Sequence, residues 1–229
     1  MPDAPEFIIE RLGRVPYAEA LELQRARHAE VLDGRGARAP HRILLVEHPA
    51  VVTVTRRPGA AEHVLADDRA LAAAGVARCD TDRGGDVTYH GPGQAVAYPI
   101  VDLQRLGIGI HAYIRALEDA AIRTCAAWGI RCDREQGATG VWTGEPGATR
   151  KIAAIGVRVS RSVTLHGIAL NVDPDLSHFG LIVPCGLHGR AVTSMRREAP
   201  GACPTLGDAS ARLAEEIAAA LTRPSATAP

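Results

Sequence analysis

Two side chains in this 229-residue sequence have the type and setting to attack and handle a carbonyl carbon: Cys185, in IVPCG, and Lys151, which opens KIAAIG. Pro184 ends an apolar, strand-like segment, and Gly186 leaves the backbone N–H groups after the sulfur unobstructed. That arrangement presents a nucleophile beside an oxyanion pocket. A free thiol, with a pKa of about 8.5, is mostly protonated at neutral pH, so a cation or base must stand near it. His90, His166 and His188 are possible partners, with orienting or core roles open to each. Lys151 is another, and composition singles it out, because 25 of the 26 basic residues are arginine and it is the one lysine. Arginine stays protonated in a protein, whereas a lysine amine sheds its proton when buried or crowded by charge, and so can act as an acid or a base.

The remaining cysteines have ordinary explanations. Cys125 sits in an amphipathic helix, Cys79 and Cys132 near strand ends, and Cys203 in a loop. Five cysteines without a CxxC pair fit neither a disulfide framework nor a zinc site, and no metal is expected.

Glycine-rich stretches surround these residues. RGGDVTYHGPGQ, Arg83 to Gln94, holds four glycines and a proline within twelve residues, which rules out a helix interior. Gly156 and Gly167 interrupt two otherwise apolar strands, a weakening expected only where something must approach the backbone. With Gly84 and Gly85 they outline a narrow slot with apolar walls, suited to an extended hydrocarbon chain. No phosphate-binding Walker sequence is present, and the GxG spacing does not lie between a strand and a helix as a dinucleotide fingerprint requires.

The elements that must position these groups follow from periodicity. Strands are expected at Glu6 to Arg11, Arg42 to His48, Val51 to Thr55, Gln94 to Leu103, Thr139 to Trp142, Lys151 to Ser160 and Val163 to Val172. The second and third are joined by a proline-containing turn, and the last two form a hairpin. Helices are expected at Tyr17 to Leu32, about Glu62 to Ala74, Ile110 to Trp128 and about Leu206 to Leu221, before a frayed tail at 224–229. Hairpin-like pairs with helices inserted, without regular βαβ alternation, predict an α+β fold with a mixed, largely antiparallel sheet flanked by helices. Residues 1–229 read as a single domain.

Composition excludes several classes. The 26 basic and 26 acidic residues balance, so no basic field is available for nucleic acid or an anionic membrane. The acidic start lacks the pattern of a signal peptide and no stretch is long and apolar enough to span a bilayer, so a cytoplasmic location is expected.

RGGDVTYHGPGQ, GVW from Gly140, KIAAIGVRV from Lys151, HGIALNV from His166, DLSHFGLIVPCG from Asp175 and VTSM from Val192 together resemble the lipoyl(octanoyl) transferases, relatives of the biotin and lipoate protein ligases. The resemblance runs from about Arg42 to Met195. It implies a biotin/lipoate protein ligase-like sheet and no cofactor, with an acyl thioester on Cys185 and Lys151 as general acid/base. It also implies substrate contacts from Arg83, Gly84, Gly85, Asp86, Val87, Thr88, Tyr89 and His90, from Ala154, Ile155 and Gly156, and from Gly167, Ile168 and Ala169. Arg83, Thr88 and His90 would frame the entrance. The implied donor is octanoyl-acyl carrier protein, and the implied acceptors are lipoyl domains of 2-oxoacid dehydrogenase complexes and the glycine-cleavage carrier protein. Leu187 and Ala191 depart from the family's more frequent isoleucine and glycine, which bears on chain-length preference. An ATP-dependent ligase and a non-catalytic acyl-binding protein are the rival readings.

Overall fold

The computed structural model describes residues 5–36, 39–183 and 190–222, so Cys185 and His188 lie outside the described residues. Eight strands among the described residues form a sheet in which β1 (Phe7–Arg14), β2 (His41–Glu47), β6 (Gln94–Ile100), β10 (Val163–Asn171), β9 (Arg150–Ser160), β8 (Ala138–Thr143) and β7 (Asp133–Glu135) are neighbours in that order. β1 runs parallel to β2, the other pairs along this path are antiparallel, and the two-residue β11 (Ala191–Val192) joins β9 in parallel. The expected mixed, largely antiparallel sheet is present.

Its two faces are packed by different helices. Ile43 and Leu45 of β2 point toward α4 (Ile110–Ala126) and α6 (Leu206–Thr222), where Tyr113, Leu117, Leu213 and Ile217 meet them. Leu44 and Val46, one residue out of phase, point toward Ala20 and Val31 of α1 (Tyr17–Asp33). Alternation therefore operates inside RILLVE, although both sets are apolar, because both faces are covered. Each such aliphatic side chain contributes about 1.5–3 kcal/mol on burial.

VVTVT does not pair with the strand before it. As β3 (Val51–Thr55) it belongs to a second, three-stranded sheet, between β4 (Ala77–Thr81) and β5 (Thr88–His90). Part of the opening glycine-rich motif is thus a strand. The helix expected over Glu62 to Ala74 is also divided. A 3-10 turn covers Ala60–His63, and α2 (Asp68–Ala73) starts only where Asp67 accepts a hydrogen bond from Ala70 N at 2.7 Å. Between them, the N–H groups of Leu65 and Ala66 both donate to the Leu181 carbonyl, at 2.9 and 3.1 Å. A side-chain cap and a tertiary backbone pairing outweighed a helical spacing. The strand from Gln94 ends at Ile100, because Asp102 caps the short α3 (Leu103–Leu106). The β9–β10 hairpin turns through Arg161 and Ser162, both at positive φ, as a two-residue turn of the right twist requires.

Candidate active site

Lys151 is placed by an irregularity in β9. Val141 of β8 stands opposite Ala153, and Trp142 opposite Lys151, so Ile152 is an extra residue and a β-bulge. Ile152 and Ala153 both enter the α4/α6 core, which leaves Lys151 on the other face with Ala154. There the lysine is 7% exposed. Its ammonium donates to the Thr139 carbonyl at 3.1 Å and lies 4.6 Å from the centre of the Trp142 ring. Gly140 makes room for it. At φ +121°, a Cβ there would sit 2.6 Å from the Ala153 carbonyl oxygen and 3.3 Å from Lys151 Cε. The GVW motif is therefore the bed on which the lysine lies.

The chain leaving Cys185 returns to this strand. Arg190 stacks on the Trp142 ring at 4.4 Å, Val192 pairs with Lys151 in register, and Thr193 N donates to the Lys151 carbonyl at 2.9 Å. Before Cys185, Val183 N donates to the His63 carbonyl at 2.7 Å and Ile182 bridges Val64. Both ends of the segment that carries the cysteine are thus tied by backbone hydrogen bonds.

A cleft with a largely apolar lining lies along the same face. Ala154, Ile155 and Gly156 line it from β9, Gly167, Ile168 and Ala169 from β10, and Arg83, Gly85, Asp86, Thr88 and His90 from the glycine-rich segment. Val96 adds apolar wall, and a smaller cavity sharing Thr88 and Ala154 extends to Lys151. The glycine-rich run is not a continuous wall. Val87 and Tyr89 turn the other way, into the core of the second sheet with Val52, Val54 and Phe179, and Tyr89 OH pairs with His178 Nδ1 at 2.8 Å. Gly84 serves as a fastening, its N–H donating to the Val157 carbonyl at 2.9 Å.

The glycines serve packing of the protein on itself. A Cβ on Gly156 would stand 3.0 Å from both Arg83 Cδ and the Gly84 carbonyl oxygen, because the RGG loop crosses β9 at that point. A Cβ on Gly167 would run into the Ala97 carbonyl and stand 2.7 Å from Pro99 Cδ.

Thr88 and His90 do not frame an entrance; both are buried. His90 belongs to a cluster of rings that sequence reasoning did not assemble: Tyr17, His48, Tyr98 and His166, with neighbouring centroids 5.3 to 6.4 Å apart. His48 Nδ1 meets the Val15 carbonyl and its Nε2 the Tyr98 hydroxyl, each at 2.7 Å. Burial pushes His48 down to about 4, and burial with the nearby His48 and Arg83 holds His90 well below the usual imidazole range. Burial lowers His166 as well, against the opposing pull of Asp82, 2.9 Å from its Nε2. The cleft is therefore walled by neutral imidazoles. His166 adopts φ +61°, held by a 2.7 Å hydrogen bond from its N–H to the buried Gln24 side chain. Among the described cysteines, Cys125 is fully buried, and its contact with Cys132 and its burial keep it protonated.

No group of three or more His, Cys, Asp or Glu among the described residues is placed to hold a metal ion, and no described helix is long and apolar enough to cross a membrane.

Residues 16–218 match the family model of the lipoyl protein ligase A/B catalytic domain. A protein of Acidobacterium capsulatum described as an octanoyltransferase is 49% identical over 200 residues, covering 82% of this chain and 78% of that one. Octanoyltransferases of Solibacter usitatus and Chloroflexus aurantiacus are 52% and 47% identical, covering 82% and 90% of this chain and 81% and 90% of theirs. In fold, the chain is similar to a bipartite lipoate protein ligase of Thermoplasma acidophilum, with a TM-score of 0.70 at 16% identity over 95% of this chain and 84% of that one. It is also similar to a biotin protein ligase of Aquifex aeolicus, with a TM-score of 0.55 at 12% identity over 94% of this chain and 70% of that one.

Proposed function

The chain belongs to the lipoyl protein ligase A/B catalytic family and is an octanoyltransferase of protein lipoylation, and on that premise we propose that it works through a Cys185 acyl-enzyme with Lys151 as acid and base. The donor is octanoyl-acyl carrier protein. The Cys185 thiolate attacks the thioester carbon, the carbon–sulfur bond to the carrier breaks, and Lys151 gives a proton to the departing thiol. Backbone N–H groups near Cys185 and Gly186 hold the oxyanion. The acceptor is the lysine amine of a lipoyl domain, in a 2-oxoacid dehydrogenase complex or a glycine-cleavage carrier protein. Neutral Lys151 removes a proton from the attacking amine, the amide forms, and Cys185 leaves as the thiolate.

The observation that carries this reading is the Ile152 bulge, which turns the sole lysine onto the face where the cleft lies. The octanoyl chain occupies that cleft, against Ala154, Ala169 and Val96. The whole chain acts as one catalytic unit, supported by the packing of the C-terminal α6 into the same core as β2 and β9. The exposed Arg56, Arg57, Arg196 and Arg197 are proposed to dock the acidic carrier domains.

Intact mass after mixing the protein with octanoyl-acyl carrier protein, without acceptor, tests the reading. One octanoyl adduct mapping to Cys185 and discharged by a lipoyl domain is expected. Transfer without any adduct would remove Cys185 as nucleophile, and neither adduct nor transfer would favour a binding protein.

A further inference from the structure

Asp86 lines the cleft, yet its carboxylate is fully engaged by the protein. The side chain is 1% exposed. One oxygen accepts from Val87 N at 2.8 Å, and the other meets His63 Nδ1 at 2.8 Å and Arg57 Nη1 at 3.3 Å. A carboxylate so occupied has little left to offer a ligand.

His63 links that carboxylate to the nucleophile. Its backbone carbonyl receives Val183 N at 2.7 Å, and the residues after it pair with Leu181 and Ile182. Cys185 lies two positions after Val183 in the chain, at most about 7 Å at full extension. The ring of His63 is fixed to the cleft wall through Asp86, while its backbone holds Val183, two positions before the cysteine.

We propose that Asp86 and His63 are a positioning pair that sets the Cys185 segment against the acyl cleft, and that Asp86 is not a substrate ligand. This rests on the reading of Cys185 as nucleophile. The pair takes no part in bond making. It fixes the distance between a thiol on one segment and an acyl carbon bound by others, and a misplacement near 1 Å there costs about a hundredfold in rate.

The test is single-turnover formation of the octanoyl-enzyme from octanoyl-acyl carrier protein. Asp86→Leu and His63→Leu are each expected to slow it about ten- to hundredfold with the KM for the donor changed less than about threefold. His63→Asn keeps a side-chain N–H where Nδ1 stands and is expected to recover to within about threefold of the parent rate. Acylation at the parent rate in His63→Leu would overturn the proposal, as would a His63→Asn variant as slow as His63→Leu, which would mark chemistry at Nε2. A change confined to KM in Asp86→Leu would return Asp86 to the substrate ligands. Cys185→Ala, run alongside, separates the two ideas. Transfer that survives in it defeats the nucleophile, whatever the His63 variants do.

Discussion

Lys151 and Trp142 stand directly opposite each other across β9 and β8, with the ammonium 4.6 Å from the ring centre. The ring faces a cation it can stabilise, and the Thr139 carbonyl fixes the direction of one N–H. The amine is positioned before any substrate arrives.

Lys151→Arg keeps the positive charge and loses an amine that can give up its proton. Octanoyl transfer is expected to fall by about 10²- to 10⁴-fold, the usual range for removing a positioned acid or base. Steady-state transfer rates beside an unchanged melting temperature check this, and near-parental transfer would show that only charge is needed.

Gly140→Ala places a methyl group 2.6 Å from the Ala153 carbonyl oxygen, at a φ of +121°. A loss of about 1–3 kcal/mol in urea unfolding is expected from the strained backbone alone. Activity should fall further than stability, because the methyl group also presses on Lys151 Cε.

His48 makes stability depend on pH. Its folded pKa of about 4 lies below the usual 6.5, so between those values the unfolded chain takes up a proton that the folded chain refuses. Stability from this group is intact above pH 6.5 and is lost as pH falls, by about 3 kcal/mol at pH 4. Urea midpoints measured from pH 7.5 to 4.5 should decline, and His48→Gln should flatten the decline. Equal slopes in both proteins would place the acid sensitivity elsewhere.

Much of this arrangement was legible in the sequence, for reasons that individual residues explain. β9 and β10 were readable because long apolar runs flank a short polar turn, and α4 because its apolar residues recur at helical spacing. Lys151 could be singled out by composition. The Ile152 bulge could not, since apolar residues lie on both faces of β9 there and leave no alternation to break. Ala77–Thr81 carries no strand pattern in ARCDT and becomes β4 only by pairing with β3. Gln24 and His28 occupy buried positions on α1 that look solvent-facing by type, because their partners, His166 N and the Ser160 carbonyl, come from more than 130 residues away. The ring cluster around His48 escaped notice for the same reason.

Paired replacement of Arg56 and Arg57, or of Arg196 and Arg197, by alanine is expected to raise the KM for the carrier and to reduce its dependence on salt, with little change in kcat. Arg57 also reaches Asp86, so Arg56→Ala alone is the cleaner measure of docking. Unchanged KM values in both pairs would make these arginines ordinary solvated surface.

The extra residue at Ile152 makes the site a matter of parity. Lys151 shares the cleft face with Ala154 although two residues stand between them, where an unbroken strand would need an odd number. Many apolar side chains would serve at position 152, and a scan of substitutions there would report a tolerant core position. Removing the residue altogether would close the bulge and, by plain alternation, leave the amine on the cleft face, whereas pairing the strand straight through, with Ile152 opposite Trp142, would send that amine into the helices behind the sheet, so the site depends on a register that touches no reactive group.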